Sequence, residues 1–174
     1  GEIMANADRP HGFNPYSALL RCRPYKVDSS NTPAFFIGDV VDMEGDGNVN
    51  VAAASSIVKI GAALNLLAVS TASSDSNPLM VADHPSQLYE AQDDAATTSA
   101  RTDLGNSVDH VAGTGNATTK LSGHELGLGT LSTSNGGFVL LELVPRIDNA
   151  FGANADMVCA LNVGEGLLTV AGGI

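Results

Sequence analysis

Apolar residues in this chain come in short bursts, often alternating with polar ones and separated by Gly, Asn, Asp and Pro. That pattern predicts strands joined by turns. Ala34–Met43 carries Phe35, Phe36, Ile37, Val40 and Val41 around Gly38 and Asp39 and reads as β. Glu44-Gly45-Asp46-Gly47-Asn48 turns the chain, because Asp-Gly and Gly-Asn adopt positive φ at little cost. Val49 and Val51 then alternate with Asn50, as a returning strand would. Residues 57–70 hold Ile57, Val58, Ile60, Leu64, Leu66, Leu67 and Val69 around Gly61-Ala62-Ala63. A helix is the rival there, but β-branched density and Gly61 favour two short strands or a bent one.

Ser70–Pro78 reads as a polar loop, Leu79–Val81 as a strand interrupted by Pro85, and Gln87–Gln92 as its resumption. Residues 93–103 fit one helical turn or a loop. Gly, Asn, Thr and Ser dominate residues 104–137, which predicts a loop-rich region with only brief strands. Phe138–Val144 is the clearest buried strand and Pro145 ends it; Asp156–Val163 follows, with a last short strand at Leu167–Val170. Turn signals at this spacing point to a mostly β protein, a single β-sandwich or β-barrel-like domain.

Residues 1–33 differ from the rest. They hold four of the seven prolines, Pro10, Pro15, Pro24 and Pro33, which strip donors from ladders and break helices. They read as an extended N-terminal arm, with a short strand near Ser17–Arg23, attached to a β-rich domain over 34–174. The arm also carries Arg9, Phe13, Tyr16, Leu19, Leu20, Arg21, Arg23 and Tyr25, too many large side chains for a merely solvated tail. These eight are the candidate contacts to a neighbouring molecule. Deleting residues 4–26 is expected to leave a folded body.

Composition sharpens this picture at two points. Only 16% of the 174 residues are charged, below the roughly 25% usual for globular domains, which suits a turn-rich β protein. The net charge of −11 argues against nucleic acid or an anionic membrane as partner, since phosphate binding needs a basic footprint. Residues 1–26 hold four cations against Glu2 and Asp8, a net of +2, so the remainder carries −13. This contrast fits a basic arm on an acidic neighbour, or chance placement of four cations. No apolar run reaches the roughly 18–20 residues that span a bilayer, and no secretory signal is visible, so a soluble, cytoplasmically made product is expected.

Candidate chemistry is sparse. Asp42, Glu44, Asp46 and Asn48 alternate around Gly47 as in a calcium loop, but the twelfth position, where a bidentate Glu belongs, is Ala53. A solvated hairpin turn is the better reading. His11, His84, His110 and His124 form no metal-spaced motif. His124-Glu125 resembles an acid–base pair, yet no nucleophile elbow accompanies it. Gly113-Thr114-Gly115-Asn116 lacks the end of a phosphate loop. Cys22 and Cys159, the only cysteines, read as small buried apolar residues.

Several blocks together resemble one family. They are Met4-Ala5-Asn6-Ala7 with Arg9-Pro10-x-Gly12-Phe13-x-Pro15; Phe36-Ile37-Gly38-Asp39-Val40-Val41; Leu79–Pro85; Leu88–Asp94; Val111–Asn116; Ser122-Gly123-x-Glu125-Leu126; Val144-Pro145-Arg146-x-Asp148-Asn149; and Gly152-Ala153-Asn154-Ala155. In order and spacing they resemble the head decoration, or cement, proteins of tailed bacteriophages, over most of residues 4–163. The stretch Leu19–Lys26 and the tail Leu167–Ile174 depart from that pattern. The resemblance implies a β-rich structural protein of the virion, on the outer face of the capsid, with the major capsid protein as partner. It implies a homo-oligomer, a trimer first and a dimer as rival, with no enzyme activity, cofactor or metal. A β-sandwich adhesion module for glycans is the alternative, disfavoured because Trp, the usual stacking residue, is absent.

Overall fold

The computed structural model describes residues 6–27, 34–56, 58–67, 78–133 and 136–162. The strand expected at Leu167–Val170 lies outside them, as do Met4 and Ala5, residues 28–33, Ile57 and most of the Ser70–Pro78 loop.

Among the described residues, eleven strands form two sheets: β1 (Asn14–Pro15), β2 (Cys22–Tyr25), β3 (Val40–Met43), β4 (Val49–Val51), β5 (Lys59–Ala63), β6 (Leu79–Ala82), β7 (Leu88–Gln92), β8 (Ser107–Val111), β9 (Glu125–Ser132), β10 (Phe138–Leu143) and β11 (Asp156–Leu161). One sheet has the order β1-β7-β11-β10-β8-β9, the other β2-β6-β5-β3-β4, and every pairing within them is antiparallel. The sandwich expected from the turn spacing is present. One isolated bridge in each sheet also links strands that are not neighbours in its order. Asp93, just past β7, bridges Leu126 of β9, and Val27, just past β2, bridges Val49 of β4.

The main core lies between the sheets. Phe138, Leu140, Met157, Cys159, Tyr89 and Leu126 of one sheet face Val40, Ala62 and Ala82 of the other. Small residues on the second sheet let the backbones approach closely. A second cluster, built on Val41, Ile60, Ala63, Val81 and Phe35, fills the opposite face of the five-stranded sheet. β5 is therefore buried at every position, which explains its continuous apolar run and the absence of alternation. Among the described residues of this stretch, Lys59–Ala63 is a strand and Leu67 makes an isolated bridge to Phe35, so the helical rival is excluded there.

Two expectations need correction. The stretch 104–137 contains β8 and the eight-residue β9, the longest strand among the described residues, where only brief strands are expected from the sequence. Gly127 and Gly129 sit inside β9; Gly127 faces the Val111 side chain across the ladder. Secondly, residues 6–27 are no arm laid on a finished body. β1 is an edge of the six-stranded sheet, pairing with β7, and β2 is an edge of the five-stranded sheet, pairing with β6. Pro15 and Pro24 lie in these two edge strands, the places a sheet tolerates them.

Candidate functional site

The N-terminal segment is the place where the candidate contact residues gather, and the structure sorts them into three groups. The first is core. Phe13 is fully buried and stacks on Phe138 with ring centroids 4.4 Å apart. It reaches that position because Gly12, at φ +72°, turns the chain inward. A Cβ on Gly12 would lie 2.5 Å from the Ser122 Cβ and 2.7 Å from the Gly38 oxygen. Phe13 is therefore unavailable to a partner, contrary to the sequence expectation.

The second group is a charged node on the edge of the five-stranded sheet. Asp83, directly after β6, is buried, and accepts from Arg21 Nε at 2.8 Å, Arg23 Nε at 2.5 Å and the Tyr25 hydroxyl at 2.6 Å. Burial alone would push this carboxyl up, but bonds from Tyr25, Arg21 and Arg23 outweigh it and hold it below the usual carboxylate range. The Tyr25 phenol is pushed up to about 12, by burial first and then by Asp83. The two arginines thus anchor β2 within the chain. They share a single carboxylate, which leaves one positive charge in excess.

The third group faces water. Leu19 and Leu20 are each 51% exposed. They lie in the loop that runs from one sheet's edge strand to the other's. Tyr16 is half-buried, with its amide on the Leu88 oxygen at 2.8 Å. Arg9 is exposed, and its backbone amide donates to Gln92 Oε1 at 2.7 Å.

A polar cluster sits at the other end of β7. His11, Glu90 and Asp156 place their ligand atoms within 4.8 Å of one another, the kind of grouping that can hold a metal ion. Their present bonding works against that use. Arg146 bonds both Glu90, at 2.8 Å, and Asp156. Asn14 Nδ2 donates to the His11 oxygen and contacts Nδ1, which leaves the ring proton on Nε2 pointing at Asp156 Oδ1, 3.1 Å away. Burial would lower the His11 pKa, but Asp156 and Glu90 outweigh it and raise it. The Nε2–H of His11 and the Arg146 guanidinium already engage the two carboxylates. The cluster ties the N-terminal segment to the β10–β11 connection.

The other chemical candidates are held by neighbours within the fold. His124 and Glu125 are adjacent in sequence but face different neighbours. His124 Nδ1 accepts from the Val40 amide at 3.2 Å, and its Nε2 lies 3.6 Å from Asp39. Glu125 sits among Asp8, Asp93 and Asp94; burial first, then those carboxylates, push it up to about 7. In the Glu44–Asn48 turn, Asp46 is spent on the Asn48 amide and side chain, at 2.9 and 2.8 Å, while Asp42 accepts from Ser56. Cys159 is fully buried, whereas Cys22 is only partly so.

Sequence reasoning missed Asp83 and Gln87, the residues that position this site. Asp83-His84-Pro85 reads as ordinary turn chemistry, and nothing local distinguishes a carboxylate that pairs 60 residues away.

The blocks that carry the family resemblance are one another's partners. Asn6 donates to the Ala150 and Ala153 oxygens at 2.8 and 2.9 Å. Gln92 Nε2 donates to the Ala7 and Asn154 oxygens. Asp93 accepts from the Asn154 and Ala155 amides, both at 2.9 Å. The Phe13 amide donates to the Gly38 oxygen and the Ser122 amide to the Ile37 oxygen, both at 2.8 Å. Gly113 packs so closely on the Gly123 carbonyl that a Cβ there would lie 2.0 Å from its oxygen. Compared with known proteins, the chain matches no family model, no curated protein and no solved structure.

Proposed function

We propose that this protein is a structural component of a tailed-phage virion. It binds the outside of the assembled head, bridges neighbouring copies of the major capsid protein, and catalyses nothing. The observation that carries this reading is the mutual packing of the resemblance blocks. Five of these blocks, from Asn6 to Ala155, meet in one hydrogen-bonded framework.

The physical logic is that of a clamp. A protein that binds only the assembled shell stabilises it by mass action, and a rigid two-sheet body transmits load between the subunits it joins. An acidic chain also avoids the packaged nucleic acid and stray polyanions. By the same resemblance the clamp self-associates on the lattice, as a trimer at quasi-threefold positions or a dimer at twofold ones.

The test uses heads assembled without this protein. The purified chain should sediment with them at a fixed stoichiometry and raise the temperature at which they release DNA. Absence of saturable binding to mature heads defeats the proposal.

A further inference from the structure

We infer that the Tyr16–Leu20 loop is a preformed knob that seats in an apolar, acid-rimmed socket on the capsid protein. This rests on the decoration reading above and names the contact through which it would act.

The loop is held before any partner arrives. Ser17 adopts φ +67°, a left-handed conformation uncommon outside glycine. The Tyr16 amide is fixed to the Leu88 oxygen at 2.8 Å, and the Ala18 amide to the Tyr16 oxygen at 2.9 Å. Gln87 completes the clamp. Its side chain is buried, at 1% exposure, and both ends of its amide are spent on this region. Oε1 accepts from the Leu20 amide at 2.8 Å. Nε2 donates to the Ala18 oxygen at 2.9 Å and to the Leu88 oxygen at 2.8 Å. A buried amide thus grips the backbone on both sides of Leu19.

What this clamp presents is apolar. Leu19 and Leu20 are the one pair of consecutive residues among the exposed large hydrophobics of the described chain. Ordering a loop usually offsets part of the affinity of a contact, and here the ordering is done within the free protein. The rim is specified by charge. Arg21 and Arg23 follow the leucines, keep 37% and 48% of their side chains exposed, and share only Asp83. One net positive charge therefore borders the knob in a chain of −11. An apolar socket edged with carboxylates fits that pattern; a basic or neutral polar surface does not.

The test compares wild type, Leu19→Ser/Leu20→Ser and Ile147→Ser on heads assembled without this protein. Ile147 is a fully exposed apolar side chain in the β10–β11 connection and serves as the control. All three should show the same melting temperature, since no core residue changes. The double variant should bind at least about thirtyfold more weakly, the loss a hot-spot pair produces, and Ile147→Ser should bind as wild type does. Wild-type binding should also weaken with added salt, and less so in Arg23→Gln. A double variant that binds within threefold of wild type overturns the knob while leaving the decoration reading intact. If the wild type itself does not bind, that reading falls and the knob falls with it.

Discussion

The Tyr89 hydroxyl, on the six-stranded sheet, donates to the Ala82 carbonyl of the five-stranded sheet at 2.7 Å. This bond crosses the middle of the sandwich, with Tyr89 buried and its phenol pushed far above the ordinary range by burial. Gly61 makes room for it. Its φ is +153°, and a Cβ there would lie 1.8 Å from the same Ala82 oxygen. Tyr89→Phe leaves a buried carbonyl short of a donor and should cost about 1–3 kcal/mol. Gly61→Ala must move backbone and should cost more. Urea denaturation of both variants checks the ranking, and equal stabilities would contradict it.

Two buried histidines set the acid limit of the fold. His110 and His124 stack with centroids 5.1 Å apart, and each bonds the opposite sheet, His110 through the Ala52 oxygen and His124 through the Val40 amide. Burial first, then His124, lowers His110 to about 3; burial lowers His124 to about 4. Between these values and about 6.5 the unfolded chain binds protons that the folded chain refuses. Stability is then complete above about 6.5 and is lost on acidification, by about 1.4 kcal/mol per pH unit for each ring. Glu125, raised to about 7, works in the opposite sense between its unfolded value and pH 7, because the folded state holds its proton. Glu125→Gln should therefore enlarge the stability difference between pH 7 and pH 5. Imidazole proton shifts of His110 and His124 should stay at their neutral values down to pH 5; a midpoint between 6 and 7 for either would contradict this account.

How much of this was legible beforehand follows from what each signal measures. β3–β4 with its Asp-Gly-Asn turn, β6, β7, β10 and β11 were readable because apolar runs end at Gly, Asn or Pro. β9 was hidden because its glycines look like turn residues, although Gly127 is there to admit Val111 from β8. Pro10, Pro15 and Pro24 make the N-terminal segment read as an extended arm with only a short strand near Ser17–Arg23. An edge strand needs only one side of its backbone paired, and both β1 and β2 are edges. The candidate site was half legible: Leu19, Leu20, Arg21 and Arg23 could be named, while Asp83 and Gln87 depend on pairings 60 or more residues apart.

Asp83→Asn should expose the dependence of β2 on one carboxylate. Breaking a buried ion pair can cost about 3–5 kcal/mol, but Arg21 and Arg23 are more than a third exposed and water takes over part of their solvation. A loss of about 1–3 kcal/mol is expected. The Asp83 carboxyl is held low, so its contribution is present above about pH 4 and is lost as pH falls through its folded value. The variant should also move Tyr25 down from about 12 toward the ordinary phenol value, because Asp83 is the largest influence on it after burial. Tyrosinate absorbance against pH reads this directly, and an unchanged Tyr25 titration would show that the node does not hold the phenol.

Removal of the N-terminal segment distinguishes an appendage from a structural element. A tail bound to a finished domain can be deleted without unfolding it. Here Phe13 lies in the main core, stacked on Phe138, with its amide on the Gly38 oxygen at 2.8 Å. Burial of such a side chain contributes about 1.5–3 kcal/mol, and the aromatic pair about 0.5–1.5 kcal/mol more. Phe13→Ala should then cost about 3–5 kcal/mol, a large part of the 5–15 kcal/mol that holds an ordinary domain together. Deleting residues 4–26 also removes β1, β2, both partners of Asp83 among the arginines, and His11 from the Asp156 cluster. It leaves β6 and β7 as bare edges, and Gln92 without its Arg9 and Ala7 bonds. The deleted chain should fail to fold, with no cooperative thermal transition. A truncation from residue 27 that melts cooperatively near the wild-type temperature would show that the segment is an appendage after all.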